Sequence, residues 1–284
     1  MNPDEYTKLE QVDRRHWFYC GKRALVKTWI DRYLPLQRED LLIDGGCGTG
    51  TWLAEMGATC RVLGLDDHDE SIRLARPKVE AVGGRVVKTT LERTELPAGC
   101  AAVVTLLDVL EHLDDDAAAL REMLRLVRPG GLVVITVPAL RWLWSDWDVA
   151  LQHRRRYHRA DLLRLVPPAD ADVLRCDYFN TLLLLPIALV RAWRKLRRPR
   201  PGAARLEDRV PGRLLNTLLF QALVIPGRWQ WFHPPFGVSL LAVLRRRGHP
   251  SGPPTAYRAA PGDTAVSTGR DAVPGTPSAT VIRG

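Results

Sequence analysis

The most informative segment of the sequence, residues 41–50, reads Leu41-Leu42-Ile43-Asp44-Gly45-Gly46-Cys47-Gly48-Thr49-Gly50. Three apolar residues that lead into an acid and a glycine-rich turn predict a buried parallel strand, followed by a loop whose backbone lies close to a ligand. A dinucleotide-binding loop has the spacing G-x-G-x-x-G, and here Thr51 or Leu53 stands at its third glycine. The observed pattern, D-x-G-x-G-x-G, predicts a nucleotide-type site and argues against an NAD-dependent dehydrogenase.

Length and composition are those of one globular α/β domain. The chain has 284 residues, of which 46% are hydrophobic and 26% are charged. Its first residues lack the basic and apolar regions of a signal peptide. The five cysteines are widely spaced and form no C-x-x-C pair, which indicates free thiols and argues against a zinc site. We therefore expect a cytoplasmic protein.

Apolar runs and helix signals alternate along the chain. After the first strand, the expected strands are 61–65, 85–87, 101–107, 172–179 and 237–244, and a fifth strand begins after residues 129–131. The expected helices are 51–56, 71–76 and 160–165, preceded by a helical segment at 5–34. Such alternation is typical of a parallel sheet covered by helices.

Two further motifs make this pattern specific. Strand four runs into Asp108-Val109-Leu110-Glu111-His112-Leu113, and Pro129-Gly130-Gly131 precedes strand five. With the glycine loop, these segments resemble motifs I, II and III of the class I S-adenosylmethionine (SAM) methyltransferases, in the same order and about one βα unit apart. The resemblance is strong over residues 40–138 and continues more weakly to residue 247.

The resemblance implies a Rossmann-like α/β fold with a seven-stranded sheet, mostly parallel with one antiparallel strand, and SAM as the cofactor. We predict one methyltransferase domain, residues 1–247, with a helical lead-in or lid at 1–38 and a helical insert at 180–236. Residues 248–284 are rich in Pro, Gly, Ser, Thr and Ala, which predicts a disordered tail.

The cofactor site follows from the resemblance and from the ends of the strands. The resemblance places the amino-acid part of SAM on Asp44 and on the loop backbone, including Gly45, Gly46, Gly48 and Gly50. An acid at the end of strand two lies where a ribose diol would be, and its oxygens can accept from both hydroxyls. We assign this contact to Asp66, with Asp67 as the alternative one residue later.

The adenine contact departs from the family pattern. Methyltransferases of this type usually carry an acid after strand three that binds the adenine amino group, and Thr90 stands at that position. The Thr90 hydroxyl or the Leu91 amide is expected to serve instead. Leu107, at the end of strand four, completes the predicted cofactor site.

The candidate catalytic residues are Asp108, Glu111 and His112. Their spacing, i, i+3 and i+4, predicts one helical face at the carboxyl end of strand four, where an α/β sheet forms its ligand crevice. His112 could act as a general base, because a histidine accepts a proton near neutral pH. A divalent metal site is a second interpretation, since the motif is similar in ubiquinone-type O-methyltransferases. Orientation of the loop is the third; we assign no metal.

The acceptor site is predicted from two aromatic segments. The loop after strand five contains Trp142, Trp144 and Trp147 and then Arg155, Arg156 and Tyr157, which could form a pocket and clamp a phosphate or carboxylate. In the lead-in, His16 and Trp17 could face the cleft. The alternatives are that the arginines are surface charges and that the lead-in aromatics attach a helix to the core.

The chain carries a formal net charge of +9, with basic clusters at 153–159 and 191–200. No nucleic-acid-binding motif accompanies them, so we expect no nucleic acid partner. Apolar stretches at 181–190 and 214–225 are too short to span a bilayer. Next to basic residues they fit a helix that lies at an anionic membrane surface, although a dimer interface or a cover over the acceptor site explains them equally well.

These observations predict a SAM-dependent methyltransferase that acts on a lipid-linked or amphiphilic small molecule, most simply by O-methylation, at the inner face of the membrane. A soluble metabolite is the second acceptor class. A non-catalytic, membrane-associated module that binds SAM or a nucleotide is the alternative from a different class of protein.

Overall fold

The computed structural model describes residues 3–197 and 209–248. The strands in these ranges are β1 (Leu41–Gly45), β2 (Arg61–Asp66), β3 (Arg85–Lys88), β4 (Ala101–Leu107), β5 (Val127–Pro138), β6 (Ala171–Phe179) and β7 (Ser239–Arg246). The helices are α1 (Pro3–Val12), α2 (Trp17–Tyr33), α3 (Thr51–Met56), α4 (Asp69–Glu80), α5 (Asp116–Leu126), α6 (Asp146–Ala150), α7 (Arg159–Leu165), α8 (Leu184–Arg197) and α9 (Arg213–Gly227). Short 3₁₀ turns lie at Leu110–His112 and Arg141–Leu143.

All seven strands form one sheet in the order β3-β2-β1-β4-β5-β7-β6. The pairs among β1 to β5 are parallel, and β7 runs antiparallel to both β5 and β6. This confirms the expected mostly parallel, seven-stranded fold with one antiparallel strand. The strand order reverses between β1 and β4, and a ligand crevice of an open α/β sheet lies at such a switch point.

Helices cover both faces of the sheet because successive strand residues point to opposite sides. Leu41 and Ile43 face a core that includes α5 and α7, whereas Leu42 faces a core that includes α2, α3 and α9. All five residues of β1 are buried. Buried parallel strands of this kind read as continuous apolar runs, which is why the sequence showed them clearly.

Three elements differ from the sequence prediction by two residues or more. Strand β5 begins at Val127 and includes Pro129-Gly130-Gly131, which were expected to precede it; its regular pairing with β4 resumes at Leu132 after an irregularity. Helix α4 covers Asp69–Glu80 rather than 71–76, with Pro77 inside it. Buried Ile72, Ala75 and Val79 continue the helical spacing past the proline, so packing outweighs the hydrogen bond that Pro77 cannot make. Strand β7 begins at Ser239, two residues later than predicted, because it pairs with Phe179 and Pro138 from that residue onward.

The predicted lead-in forms two helices, α1 and α2. Helix α9 of the insert packs along α2 in the same direction: Asn216 accepts a hydrogen bond from the Trp17 amide, and the Gly227 carbonyl accepts one from the Trp29 indole. The described part of the insert thus contributes α8 and α9. The predicted tail lies outside the described residues, apart from Gly248.

No helix among residues 3–197 and 209–248 is both long and apolar enough to cross a bilayer.

Candidate functional site

A cleft of about 810 Å³ opens at the carboxyl ends of β1, β2 and β4. A smaller cavity of about 170 Å³ adjoins it on the side of β5 and β7. Both cavities are lined by Tyr19, Lys22, Asp108, His112 and His153, so these side chains form the wall between them. The arrangement separates a large compartment at the glycine loop from a small one beyond the end of β4.

The glycine loop is shaped by left-handed backbone at Gly46 (φ 68°) and Gly48 (φ 54°). A Cβ atom at Gly46 would lie 2.6 Å from Val109, so this position excludes a side chain on steric grounds as well. A Cβ atom at Gly48 would meet no protein atom within 4 Å. The backbone at Gly48 therefore borders open space in the cleft, as a loop that lets a ligand approach closely must.

Asp44 lies at the base of the cleft and is 3% exposed. Its Oδ1 accepts a hydrogen bond from the Thr105 hydroxyl at 2.6 Å. Burial raises the pKa of Asp44 to about 8, although Thr105 and Lys22 act in the opposite direction. A bound ammonium group would favour the ionised form of this carboxyl group.

Asp66 at the end of β2 fixes the loop and also faces the cleft. Its two oxygens accept from the Gly48 and His68 amides, each at 3.0 Å. Each carboxylate oxygen keeps a second lone pair, which leaves acceptor capacity for ribose hydroxyls. Burial raises the pKa of Asp66. Asp67, the alternative, is exposed and also lines the cleft.

The other predicted cofactor residues divide into two groups. Thr90, Leu91 and Leu107 line the cleft. Gly45 and Gly50 do not line either cavity. Their lack of a side chain serves packing instead, because a Cβ atom would lie 2.9 Å from Leu106 at Gly45 and 2.9 Å from Ala75 at Gly50. Both glycines shape the loop without bordering the ligand space, which corrects that part of the prediction.

The lead-in reaches the cleft, but with residues other than those expected. His16 is 4% exposed and caps α2 by accepting from the Phe18 amide; burial lowers its pKa to about 4. Trp17 packs against the core that includes α9. Neither residue lines the two cavities, so the prediction that they face the cleft is corrected.

The cleft is instead covered by Tyr6 of α1 and by Tyr19 and Lys22 of α2. The Tyr6 ring lies 4.7 Å from the His68 ring, which places α1 over the end of β2. The sequence did not identify these residues. Tyr19 and Lys22 are three residues apart on one amphipathic helix, and this spacing was the feature of the sequence that could have indicated that both face the cleft.

Asp108 lies between the two cavities in a left-handed conformation (φ 60°). Its Oδ2 accepts from the Lys22 ammonium at 2.6 Å and its Oδ1 from the Thr136 hydroxyl at 3.0 Å. Burial would raise the pKa of Asp108, but Lys22 and Thr136 outweigh that effect and hold the pKa below its usual range. Asp108 is thus a carboxylate paired with a cation at the centre of the site.

Glu111 also lines the small cavity, but unlike Asp108 it has no hydrogen-bond partner for its carboxyl oxygens in the described part of the chain. Its side chain is fully buried. Burial, and then the nearby charge of Asp108, raise its pKa well above the usual range. The two acids do not share an α-helical face as predicted, because Asp108 precedes the 3₁₀ turn that carries Glu111.

His112 borders both cavities, and its ring lies 4.8 Å from the ring of His153. Burial, and then the charge of His153, lower the pKa of His112 to about 4, so its imidazole is neutral at pH 7. His153 lies 2.9 Å from Asp148 through Nδ1. Candidate ligand atoms of Glu111, His112 and His153 all lie within 4.8 Å of one another, so these three residues could hold a divalent cation.

Arg155, Arg156 and Tyr157 are paired with carboxylates of the protein, and of the three only Arg156 lines the small cavity. Arg156 is 3% exposed and donates to both oxygens of Asp148, while Arg155 and the Tyr157 hydroxyl both donate to Asp116. These carboxylates already satisfy the charges that the prediction assigned to a ligand. The residues therefore hold the loop after β5 against the start of α5.

The aromatic wall of the smaller cavity is also different from the prediction. Trp147, Phe18 and Leu151 line it, whereas Trp144 is 39% exposed and lines neither cavity. The loop of three tryptophans does face the acceptor side, but through its third member.

Comparisons with known proteins agree with this geometry. The family model described as a methyltransferase domain matches residues 19–175, more than half of the chain. The ubiquinone biosynthesis O-methyltransferase of Colwellia psychrerythraea is 31% identical over 156 residues, which cover 47% of this chain and 63% of that protein. The corresponding enzyme of Sodalis glossinidius is 30% identical over 190 residues, which cover 62% of this chain and 72% of that protein. The chain spans about half to two thirds of the length of the first curated relatives that it matches.

Solved structures show the same fold at lower identity. A chain in the complex between the Haloferax volcanii Trm112 methyltransferase activator and a methyltransferase aligns with a TM-score of 0.56 and 19% identity, covering 88% of this chain and 99% of that chain. Geranyl diphosphate methyltransferase in complex with SAM aligns with a TM-score of 0.53 and 17% identity, covering 79% and 85% of the two chains. These likenesses concern the fold.

Proposed function

The chain belongs to the class I SAM-dependent methyltransferases, and on that premise we propose that it transfers the methyl group of SAM to an oxygen of a lipid-linked or otherwise amphiphilic small molecule. The observation that carries this proposal is the small cavity beyond the end of β4, which shares a wall of side chains with the large cleft. One compartment suits a nucleoside cofactor, and the other suits the reacting end of an acceptor.

The residues of the large cleft fit SAM. The open space at Gly48 accommodates a ligand against the backbone, Asp44 suits the amino-acid part, and Asp66 suits the ribose hydroxyls. Thr90 and Leu91 border the region assigned to the adenine. When bound, SAM supplies an electrophilic methyl carbon attached to a sulfonium centre. The protein then has to align the acceptor with that carbon and remove a proton from a hydroxyl.

The small cavity is built for an acceptor with an apolar body. Phe18, Trp147 and Leu151 contribute apolar surface, while His112 and His153 present ring nitrogens at the wall shared with the cleft. The His112 imidazole is neutral at pH 7, so a ring nitrogen is free of a proton and can accept one from an acceptor hydroxyl, but its pKa of about 4 makes it a weaker base than an exposed histidine. We assign His112 this role, with Asp108 and Lys22 as the charged pair that fixes the wall. The buried Glu111 carboxyl group, which has no hydrogen-bond partner in the described residues, can hydrogen-bond a polar group of the acceptor.

The name of the Colwellia psychrerythraea relative, a ubiquinone biosynthesis O-methyltransferase, supports an acceptor oxygen on an amphiphilic molecule. We place the protein peripherally at the inner face of a membrane, with an anionic lipid surface as its partner and no nucleic acid. A soluble metabolite is the second candidate acceptor, and it is favoured by the cations Lys8, Lys22 and Arg191 that also border the small cavity.

The test is incubation of the purified protein with methyl-labelled SAM and a total cell extract, followed by partition between organic solvent and water. We expect label in the organic phase, and its loss in Asp44→Ala. Asp31→Ala, which removes a half-exposed acid from the far end of α2, is the matched control and should retain transfer. Label confined to the aqueous phase would favour the soluble metabolite.

A second variant separates chemistry from binding. His112→Gln should retain SAM affinity, measured by calorimetry, and lose transfer by about 100-fold or more, as expected for removal of a general base. Unchanged transfer in His112→Gln would exclude this residue as the base. SAM binding by the native protein without any labelled product from the extract would support the non-catalytic binding module.

A further inference from the structure

The outer face of α8 is as apolar as its inner face. Leu184, Ile187 and Ala188 pack against the core, as an amphipathic helix requires. On the opposite side Leu185, Leu189, Trp193 and Leu196 follow one another at intervals of four, four and three residues. Their exposed fractions are 68%, 61%, 55% and 83%, so the whole stripe lies open to solvent.

Helix α9 repeats this arrangement on the other face of the sheet. Leu223 and Val224 are buried against α2, whereas Leu214, Leu215 and Leu218 are 75%, 54% and 58% exposed. After α9, Trp229 and Trp231 stack on each other at 5.2 Å, with exposed fractions of 42% and 73%. Because α8 and α9 pack on opposite faces of the sheet, their outer faces are two separate apolar surfaces, and we call the first of them the α8 stripe.

The charge of the insert identifies the kind of partner. Residues 180–236 contain ten Lys or Arg residues and two acids, a formal charge of +8, while the whole chain carries +9. No acid occurs in 180–197 or 209–236, the parts that the structure describes. Arg194 and Lys195 lie in the last turns of α8, Arg194 half-buried and Lys195 exposed. They continue the helix side of Ile187 and Arg191, which flanks the exposed stripe.

The insert is also placed at the acceptor side of the site. It leaves the sheet after Phe179, the last residue of β6, and returns at Ser239, the first residue of β7. These two residues pair with each other at the carboxyl edge of the sheet. Arg191 of α8 donates to the Leu143 carbonyl at 2.6 Å and lines the small cavity together with Ser239. A partner that covers α8 therefore lies next to the cavity that we assign to the acceptor.

From these observations we propose that the exposed stripe of α8 docks on an anionic lipid bilayer, with α8 lying in the headgroup region. Its leucines supply apolar burial, and the cations of the same helix supply attraction to anionic lipid. A second copy of this chain fits poorly, because each copy would bring an insert with a formal charge of +8 in its sequence. The inference rests on the proposed function only for the source of the acceptor, since vesicle binding requires no methyl transfer.

The experiment is co-sedimentation of the full chain with vesicles of phosphatidylcholine, with and without phosphatidylglycerol. We expect binding to the mixed vesicles, little binding to phosphatidylcholine alone, and weakening at high salt. Leu185→Ser/Leu189→Ser/Leu196→Ser should lower the partition coefficient by about tenfold or more. Val173→Ser, which removes a 43% exposed valine from β6, is the matched control and should bind like the native protein.

A charge variant tests the electrostatic part separately. Arg194→Glu/Lys195→Glu should weaken binding to the mixed vesicles by about tenfold or more. Each cation near an anionic lipid surface adds to the electrostatic attraction, and the substitution replaces two cations by two acids. Arg93→Glu/Arg121→Glu changes the net charge equally at exposed residues outside the insert and should have a much smaller effect.

Three results would overturn the proposal: no sedimentation of the native protein, equal sedimentation of the native protein and the triple serine variant, or self-association that the serine variant abolishes while vesicles remain unbound. The last would assign the surface to a second copy. Turnover of labelled SAM is measured in a separate assay, so a native protein that transfers the methyl group but does not bind vesicles would contradict this inference and leave the proposed function intact.

Discussion

The side chains at the glycine loop and those near the insert differ in whether they have partners within the protein. At the glycine loop, Asp44 and Asp66 are buried, and each accepts hydrogen bonds from a neighbouring hydroxyl or amide. On the insert side, Glu111 is buried without a hydrogen-bond partner, and the leucines of α8 and α9 are exposed. The buried acids of the first region have hydrogen-bond partners within the protein. The second region has a polar group without such a partner and apolar groups in solvent, both of which a ligand or a surface can still contact.

This difference indicates which part of the site is preformed. A cofactor-binding loop that is held by its own hydrogen bonds loses little conformational freedom on binding. An acceptor side with unsatisfied groups gains contacts only when its partner is present. We therefore expect substitutions at the glycine loop to affect folding and cofactor affinity strongly, and those on the outer face of the insert to affect neither.

The largest effect is expected for Gly46→Ala. The left-handed φ of 68° and the 2.6 Å approach of a Cβ atom to Val109 act together, which should lower the free energy of unfolding by about 2–4 kcal/mol. Urea denaturation measures this change. The double variant Gly46→Ala/Val109→Ala should recover the part of the unfolding free energy that is lost through the steric overlap.

Gly48→Ala is the matched control, because its φ of 54° is also left-handed but its Cβ atom meets nothing within 4 Å. It should lose only about 1 kcal/mol of stability. Its new methyl group points into the space assigned to SAM, so SAM affinity should still fall. Equal stability losses in the two variants would show that the loop is less tightly packed than the structure indicates.

The next effect concerns the charged pair that joins the two regions. Lys22→Met leaves the Asp108 carboxylate without its cation, which should cost about 2–3 kcal/mol at pH 7. Since Lys22 helps to keep the pKa of Asp108 below the unfolded value of about 3.9, this stabilisation is present above that pH and is lost as the pH falls through the lower folded pKa.

The measurement is the unfolding free energy of the native protein and of Lys22→Met between neutral and acidic pH. The difference between them should shrink on acidification. Lys27→Met, which removes a half-exposed lysine paired with Asp31 on the same helix, should change stability by less than about 1 kcal/mol. A difference that stays constant with pH would contradict the pairing with Asp108.

A smaller, pH-dependent effect is expected at His112. Its folded pKa of about 4 lies below the unfolded value of about 6.5, so the unfolded chain binds more protons between these values. His112 therefore contributes stability that is fully present above about pH 6.5 and is lost as the pH falls toward 4, by on the order of 1–3 kcal/mol. His112→Gln should show a flatter pH profile of unfolding; an unchanged profile would show that burial does not suppress protonation.

The smallest effect is expected on the outer face of the insert. Leu218→Ser should change the free energy of unfolding by less than about 0.5 kcal/mol, because this side chain is 58% exposed. Leu223→Ser, on the same helix but 1% exposed, should cost about 2–4 kcal/mol. Thermal unfolding compares the two variants, and a large loss in Leu218→Ser would indicate that the free protein buries this face.

The sequence predicted the sheet well because local signals determined it. The strands β1 and β4 are apolar runs that lead into Asp44 and Asp108. Pro129-Gly130-Gly131 located β5, but its start was predicted too late because the strand already begins at Val127. Helix α4 was predicted too short because the proline rule is local, whereas the burial of Val79 depends on the neighbouring β-sheet and the glycine loop.

The site was predicted less completely, because its wall comes from distant segments. Lys22 and Asp108 are 86 residues apart, and nothing in either local sequence indicates their pairing. Arg155 and Arg156 were assigned to a ligand since their partners, Asp116 and Asp148, become evident only in three dimensions. By contrast, Asp66 follows directly from its place at a strand end.

The pairing of Phe179 with Ser239 has a consequence for the length of the insert. A segment that leaves and re-enters a sheet at neighbouring residues closes a loop whose entropic cost grows only logarithmically, by about 0.6 kcal/mol for each doubling of its length. Lengthening this excursion therefore costs the sheet little, provided that the side chains that α8 and α9 bury, such as Leu223, are kept. In this sense, the length of the insert can change without a change in the sheet and the glycine loop that form the cofactor site.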